Sequence, residues 1–298
     1  MNHLKNTKSL TREFIEGKLF PLSDSLRDRN FDSPKLKRKT LFSLFYEPSF
    51  LTRISFERSI TLLGGHTLHT EDASQFFPVT NTNYIEDTVE ILNSLHIDGV
   101  VIRSSEPGII ERACKSSRIS VINGGSYNDH PTQAIADLYT IDKELGSIDN
   151  KTITIMGRLE HRNVSAFMSG LSLFENVLVK LLPFSGEVSP EVQDICRKRN
   201  VKIENVHDLK QVSGSDVVYL NSPRTVAHYQ LLKSRGFLIS NIDDQFMSML
   251  KPDSIVLDPM QRSGDFSIAT NDSRVAFYRQ SENALFVRMA ILCELLGQ

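Results

Sequence analysis

A chain of 298 residues is too long for one small core and predicts two domains. Hydrophobic residues make up 40% and charged residues 23%, and 34 Lys+Arg against 36 Asp+Glu leave a net charge of −2. This is an ordinary globular composition, and it offers no electrostatic footprint for nucleic acid or for an anionic membrane. No apolar run approaches the roughly 18 residues that a transmembrane helix needs, and the opening MNHLKNTKSL lacks the apolar stretch of a secretory signal. Cys114, Cys196 and Cys293 are too sparse and too widely spaced for a local metal motif or a disulfide framework. A cytoplasmic protein with reduced thiols is expected.

Strand-like and helix-like runs alternate along the chain. A buried strand is predicted at Thr40 to Tyr46, then a helix at Thr52 to Leu63, a strand at His66 to Leu68 and a helix at Tyr84 to Leu95. Gly99 to Arg103 reads as a strand, Pro107 to Ser116 as a helix, and Ile119 to Asn123 as a further strand. A helix follows, with its regular part at Ala134 to Leu145. After the polar turn Gly146 to Asn150 the pattern restarts, with a strand at Thr152 to Gly157 and a helix at Asn163 to Phe174. Later strands fall at Val177 to Leu182, Val217 to Leu220 and Ser254 to Asp258, and Glu282 to Leu296 has apolar residues at helical spacing. This βα alternation predicts an α/β protein of two doubly wound parallel-sheet domains joined by bridging helices. The expected division is 1–145, with the C-terminal helix 282–298 packing back on it, and 146–281.

In open parallel sheets, ligands bind at the carboxyl ends of the strands. That rule selects Glu47 to Thr52, Arg103 to Ser105, Gly124 to Gln133, Gly157 to Asn163, Asn221 to Arg224 and Asp258 to Gly264. Within them, His130-Pro131-Thr132-Gln133 opens a helix. Residues three apart lie on one helical face, and Pro131 suits a first turn where its missing N–H is no loss. An imidazole and a carboxamide so placed can address one polar group such as a carbonyl. A capped helix with a surface histidine has the same sequence.

Phe45-Tyr46-Glu47-Pro48-Ser49-Phe50-Leu51-Thr52-Arg53-Ile54-Ser55-Phe56-Glu57 resembles the carbamoyl-phosphate loop of the aspartate and ornithine carbamoyltransferases, F-x-x-x-S-x-R-T-R-x-S-F-E. His130 to Gln133 with the following AIADLYTI is similar to the family's H-P-[TC]-Q-x-[LM]-x-D-x-x-T, and Tyr278 to Met289 resembles its Y-x-x-Q-x-x-N-G-[LV]-x-x-R-M-A. The likeness runs in order along nearly the whole chain and is nearer the aspartate branch. It implies an amine attacking carbamoyl phosphate, with Arg103, His130 and Thr52 around the carbonyl oxygen and Gln133 on the carbamoyl amide. Ser49, Thr52 and the helix-start amides would hold the phosphate; both hydroxyls could equally be N-caps. Arg162, Arg224, Met260 and Gln261 would serve the amino-acid acceptor. The resemblance implies no metal or organic cofactor, and a homotrimer with active sites shared between neighbours.

The chain departs from the family pattern at the chemistry. The first arginine of S-x-R-T-R is Leu51 and the threonine before it is Phe50, which removes a bidentate phosphate partner. The serine and lysine that the family sends into the neighbouring subunit correspond to Phe77 and Asn81. On the acceptor side, G-D-x-x-H-S-R-V becomes Gly157-Arg158-Leu159-Glu160-His161-Arg162-Asn163-Val164, and H-P-L-P-R becomes Asp258-Pro259-Met260-Gln261-Arg262. Asp258 would either favour a cationic group or cap its turn. His66, His69 and His161 lack ligand spacing and are expected in solvent or core roles. Three functional readings follow: a carbamoyltransferase with altered phosphate and acceptor loops, a catalytically impaired paralogue acting as a structural or regulatory partner, or an enzyme of the same fold using another acyl donor with less phosphate charge.

Overall fold

The computed structural model describes residues 2–28, 35–70, 72–75, 83–222, 226–234, 242–259 and 271–297. The chain folds as two compact units, Met1–Ile135 with Glu282–Gln298, and Ala136–Ser281.

In the first unit, α1 (Phe20–Asp28) precedes β1 (Thr40–Phe45), α2 (Phe50–Leu62), β2 (His66–His69), α3 (Tyr84–Ser94), β3 (Gly99–Arg103), α4 (Ile109–Ser116), β4 (Ser120–Asn123) and α5 (Pro131–Leu145). The strands form a parallel sheet in the order β2-β1-β3-β4. The chain starts at β1, fills the edge with β2, then returns to β3 on the other side. The order therefore reverses between β1 and β3, where Phe45 pairs with Arg103. Leu44, Val100, Ile102 and Val121 pack with Ile85, Val89, Ile109 and Ile110 from the covering helices α3 and α4, the near-continuous apolar burial that a parallel sheet requires. At the far edge Leu4 bridges Ile122 in parallel, so the N-terminal segment extends the sheet beyond β4.

Two helix starts differ from the predicted ones for local reasons. α2 begins at Phe50 rather than Thr52, because Ser49 is extended (φ −155°, ψ 111°) and stands at the N-cap. α4 begins at Ile109 rather than Pro107, after Gly108 takes the left-handed φ of 79° that glycine adopts without strain.

The second unit runs β5 (Thr152–Arg158), α6 (Arg162–Leu171), β6 (Leu178–Ser185), α7 (Pro190–Lys198), β7 (Lys202–Asn205), β8 (Val217–Asn221), α8 (Val226–Ser234), α9 (Asp244–Met249) and β9 (Ile255–Leu257). Its parallel sheet has the order β7-β6-β5-β8-β9, reversing between β5 and β8. The sequence pattern missed β7: an edge strand carrying Lys202 and Glu204 shows no apolar alternation, which is how edges avoid further pairing. α10 (Phe277–Leu296) starts five residues before the predicted Glu282. Both α5 and α10 pass from one unit into the other, at Ile135/Ala136 and at Ser281/Glu282, and are the bridging helices.

Candidate active site

The strand-order reversal of the first sheet brings β1 and β3 to one end side by side. Tyr46 N–H donates to Arg103 O at 2.9 Å, which fixes the loop after β1 against the last residue of β3. Arg103 is 5% exposed. Its guanidinium donates through Nη1 to Gly124 O at 3.1 Å, and its Nε lies 3.0 Å from Glu47 Oε1 in an ion pair. Glu47 in turn accepts from Ser105 Oγ. The loops after β1, β3 and β4 thus share one buried cation.

The guanidinium needs space that only a glycine leaves. Gly125 has φ of 119°, and a Cβ there would lie 2.5 Å from Arg103 Nη1 and 3.3 Å from His130 Cδ2. Asn123 Oδ1 accepts from Gly125 N–H at 2.9 Å, and Gly125 O accepts from Ser104 N–H at 3.1 Å. The backbone is thereby held in a region costly for other residues.

His130 stands just before α5 and is buried. Its Nε2 lies 3.2 Å from Thr52 Oγ1 and 3.4 Å from Arg103 Nη1, while Nδ1 is 3.4 Å from Thr132 Oγ1. The three residues expected to share one carbonyl oxygen, Arg103, His130 and Thr52, are therefore together. Gln133, one turn on, accepts through Oε1 from Arg288 Nη2 at 3.4 Å. Arg288 is among the largest fully buried side chains; it also donates to Ser55 Oγ, and its guanidinium carbon sits 5.3 Å from the Phe56 ring centroid. Ser49 N-caps α2 with no side-chain cap bond. Phe50 in the first turn is 61% exposed. Leu51 is half-buried. Arg53 does not join this group; its Nε is 3.8 Å from Glu57 within the same helix.

In the second unit Gly157 occupies the corresponding place at the reversal of strand order. Its φ is 127°, and a Cβ would collide with the Asn221 carbonyl. Arg162 and Asn163 are buried in the first turn of α6. His161 is the N-cap of that helix, accepting through Nδ1 from Asn163 N–H at 3.2 Å. Asp258 accepts from Ser222 Oγ at 2.7 Å and donates its N–H to Gln280 Oε1 at 2.9 Å, which ties the ends of β8 and β9 to α10. Gln280 Nε2 and Tyr219 OH both donate to the buried carboxylate of Asp137, at 2.7 and 2.9 Å. The motif positions Asp137 and Gln280 thus serve the fold of this unit. Arg224, Met260 and Gln261, together with Phe77 and Asn81, lie outside the described residues. Among the described residues no His/Cys/Asp/Glu group could hold a metal ion, and no helix is long and apolar enough to cross a membrane.

Glu47, Gly125, Ser55 and Arg288 are site residues that the sequence reading did not assign. Signals were nevertheless present: Ser55 and Arg288 fall on fixed positions of the family patterns, and Glu47 and Gly125 lie in the selected strand-end loops.

Hydrogen-bond donors gathered at a strand-order reversal suit an anionic or carbonyl oxygen, so the class is an α/β protein whose candidate site has the make-up to take such a ligand. Comparison with known proteins narrows this. The family model "Aspartate/ornithine carbamoyltransferase, carbamoyl-P binding domain" matches residues 2–143, and "Aspartate/ornithine carbamoyltransferase, Asp/Orn binding domain" matches residues 149–295. The chain belongs to the aspartate/ornithine carbamoyltransferase family. It is 32% identical to the multifunctional protein CAD of Squalus acanthias over 99% of its own length, spanning 13% of that much longer chain. It is 31% identical to the aspartate carbamoyltransferase catalytic subunit of Clostridium novyi (strain NT), with 92% of each chain covered. Aspartate transcarbamoylase from Trypanosoma cruzi, solved in complex with carbamoyl phosphate and aspartate, superposes with a TM-score of 0.87 at 27% identity, covering 99% of this chain and 97% of that one.

Proposed function

We propose that this protein transfers the carbamoyl group of carbamoyl phosphate to the amine of an amino acid, as an aspartate-carbamoyltransferase-like enzyme of the pyrimidine-biosynthetic type. The observation that carries the reading is the convergence of Arg103 Nη1 and Thr52 Oγ1 on His130 Nε2 within 3.4 Å. The amine attacks the carbamoyl carbon, a C–N bond forms, the C–O bond to phosphate breaks, and the proton shed by the amine leaves with the phosphate. Negative charge grows on the carbonyl oxygen in the tetrahedral intermediate. Pre-placed donors stabilise that charge without reorganising, and each is worth about 3–4 kcal/mol in systems of this kind. Arg103 supplies a fixed cation and Thr52 a hydroxyl. The Thr132 hydroxyl beside Nδ1 can donate or accept, so it tolerates the His130 tautomer with hydrogen on Nε2, which can donate to the carbonyl oxygen. Gln133 would hold the carbamoyl amide.

The leaving phosphate would take the N-terminus of α2, a 13-residue helix whose N-cap Ser49 leaves the first-turn N–H groups without a side-chain cap. Leu51 in that turn supplies no cation, so the phosphate is held less tightly than an arginine would hold it. The acceptor would bind the second unit, through Arg162 and the segments that carry Arg224, Met260 and Gln261. We also propose a cytoplasmic homotrimer with shared sites. Phe50 and Ile54, four residues apart on α2, are both exposed and are apolar surface that an assembly would cover.

Calorimetric titration with carbamoyl phosphate tests the reading. A saturable heat is expected, and it should vanish in Arg103→Ala. No heat from the unaltered protein would favour the second reading, an impaired paralogue retained as a structural or regulatory partner, which the loss of a cation at Leu51 supports.

A further inference from the structure

Asp129 sits directly before the candidate catalytic histidine and is 8% exposed. Both of its oxygens are engaged. Oδ2 accepts from Thr7 N–H at 2.7 Å, and Oδ1 accepts from Thr7 Oγ1 at 2.6 Å and from His130 N–H at 2.8 Å. Thr7 comes from the opposite end of the first unit's sequence, 122 residues away, and it is fully buried.

The segment that carries Thr7 is strapped to the sheet on its way in. Leu4 N–H donates to Val121 O and Asn123 N–H donates to Leu4 O, both at 2.9 Å. Asn123 Nδ2 donates to Lys5 O at 2.8 Å, and Val121 N–H donates to His3 Nδ1 at 3.1 Å. Asn6 then caps the short turn Thr7–Ser9 through Oδ1. Leu4 and Leu10 bury their side chains on either side of that turn.

Burial pushes the Asp129 carboxyl above its ordinary range, while the bonds from Thr7 and His130 pull it back. The donors in those bonds are all neutral, and the nearby Lys8 charge also favours the carboxylate against the cost of taking it out of water. A carboxylate meets a geometric need that an amide does not. Thr7 N–H, Thr7 Oγ1–H and His130 N–H approach across two oxygens, and the nitrogen of an asparagine could not accept from the donor facing it.

We propose that Asp129 is a positioning residue for His130, and that the N-terminal strap, through Thr7, sets where the histidine stands relative to Thr52 and Arg103. This rests on the carbamoyl-transfer reading for its effect on rate. The strap fixes the carboxylate, and the carboxylate fixes the His130 backbone N–H. The backbone in turn places Nε2 at 3.2 Å from Thr52 Oγ1 and 3.4 Å from Arg103 Nη1. Loosening any link lets the ring drift from a geometry in which displacements of about 1 Å are expensive.

The test uses Thr7→Val, which keeps shape and backbone N–H but loses the hydroxyl, with Thr7→Ser as the conservative rescue and Asp129→Asn as a second break. Steady-state kinetics are combined with the NMR signals of the His130 ring. Thr7→Val should lower kcat about 10-fold while KM for carbamoyl phosphate stays within about 2-fold, because the ring is misplaced rather than removed. Thr7→Ser should restore both the rate and the wild-type ring signals. In a His130→Ala background, Thr7→Val and Asp129→Asn should cost nothing further in kcat. A lower melting temperature with kcat and ring signals unchanged would overturn the proposal, leaving a purely structural tether. So would full additivity with His130→Ala. If the unaltered protein shows no turnover, the functional reading fails separately and the ring signals decide alone: displaced in Thr7→Val and normal in Thr7→Ser supports the strap, and unmoved in both refutes it.

Discussion

Arg103 Nη1 lies 3.4 Å from His130 Nε2, although 27 residues separate them in the chain. A guanidinium can only donate. The contact therefore makes Nε2 an acceptor in this structure and assigns the ring hydrogen to Nδ1, which faces Thr132 Oγ1 at 3.4 Å; the tautomer follows from hydrogen-bond logic rather than from visible hydrogens. A carbonyl oxygen arriving between these groups would take the Arg103 hydrogen bond for itself. His130 could then turn the other tautomer toward it.

Arg103→Ala should reduce kcat/KM by at least about 10³, the upper range for losing one oxyanion donor. Arg103→Lys should recover little. A flexible ammonium cannot serve Glu47, Gly124 and a carbonyl from one planar fork. Initial-rate measurements on both variants check this, with circular dichroism to establish that they fold. A lysine variant close to wild type would show that charge alone suffices.

Gly125→Ala is expected to weaken both the fold and the site. The left-handed φ of 119° and the 2.5 Å approach to Arg103 Nη1 predict a loss of about 1–3 kcal/mol from backbone strain alone. Displacement of the guanidinium should also abolish the heat of carbamoyl-phosphate binding. Urea denaturation and calorimetry read the two effects separately. A variant with wild-type stability would mean that the loop relaxes at no cost.

Leu51→Arg combined with Asn81→Lys should tighten carbamoyl-phosphate binding by about 10-fold or more, from new charge-assisted hydrogen bonds to the phosphate. The single change Leu51→Arg should give part of that gain. Unchanged affinity in the double variant would place these residues away from the phosphate.

The thiols give a pH prediction. Burial pushes Cys114 up to about 12 and Cys196 and Cys293 up to about 11. A folded-state value above the unfolded one, about 8.5, means that these thiols favour the folded state below that pH. Their contribution is lost as pH rises toward 11–12. Native protein at pH 8.5 should resist alkylation at all three cysteines, and urea should expose them. Mass spectrometry after iodoacetamide treatment counts the modified sites. Rapid labelling of Cys114 in the folded protein would contradict its burial.

What could be read in the sequence follows from what leaves a local trace. β3 showed as an apolar run ending on a charge, so Arg103 was legible as a strand-end residue, and the proline-marked start of α5 placed His130 and Gln133. The start of α2 was misplaced by two residues because only the backbone reveals that Ser49 is extended. β7 was lost because a charged edge strand has no apolar period. The pairs Thr7–Asp129 and Arg288–Gln133 span 122 and 155 residues. Contacts at that separation leave no periodic mark, and they hold the supporting shell of the candidate site.

The most direct test of carbamoyl transfer is to incubate the purified protein with carbamoyl phosphate and, one at a time, aspartate, other amino acids and diamines, following phosphate and ureido product together. The account predicts equal amounts of both with at least one amino acid, and neither in Arg103→Ala. No ureido product with any acceptor, together with no heat of carbamoyl-phosphate binding, would contradict it.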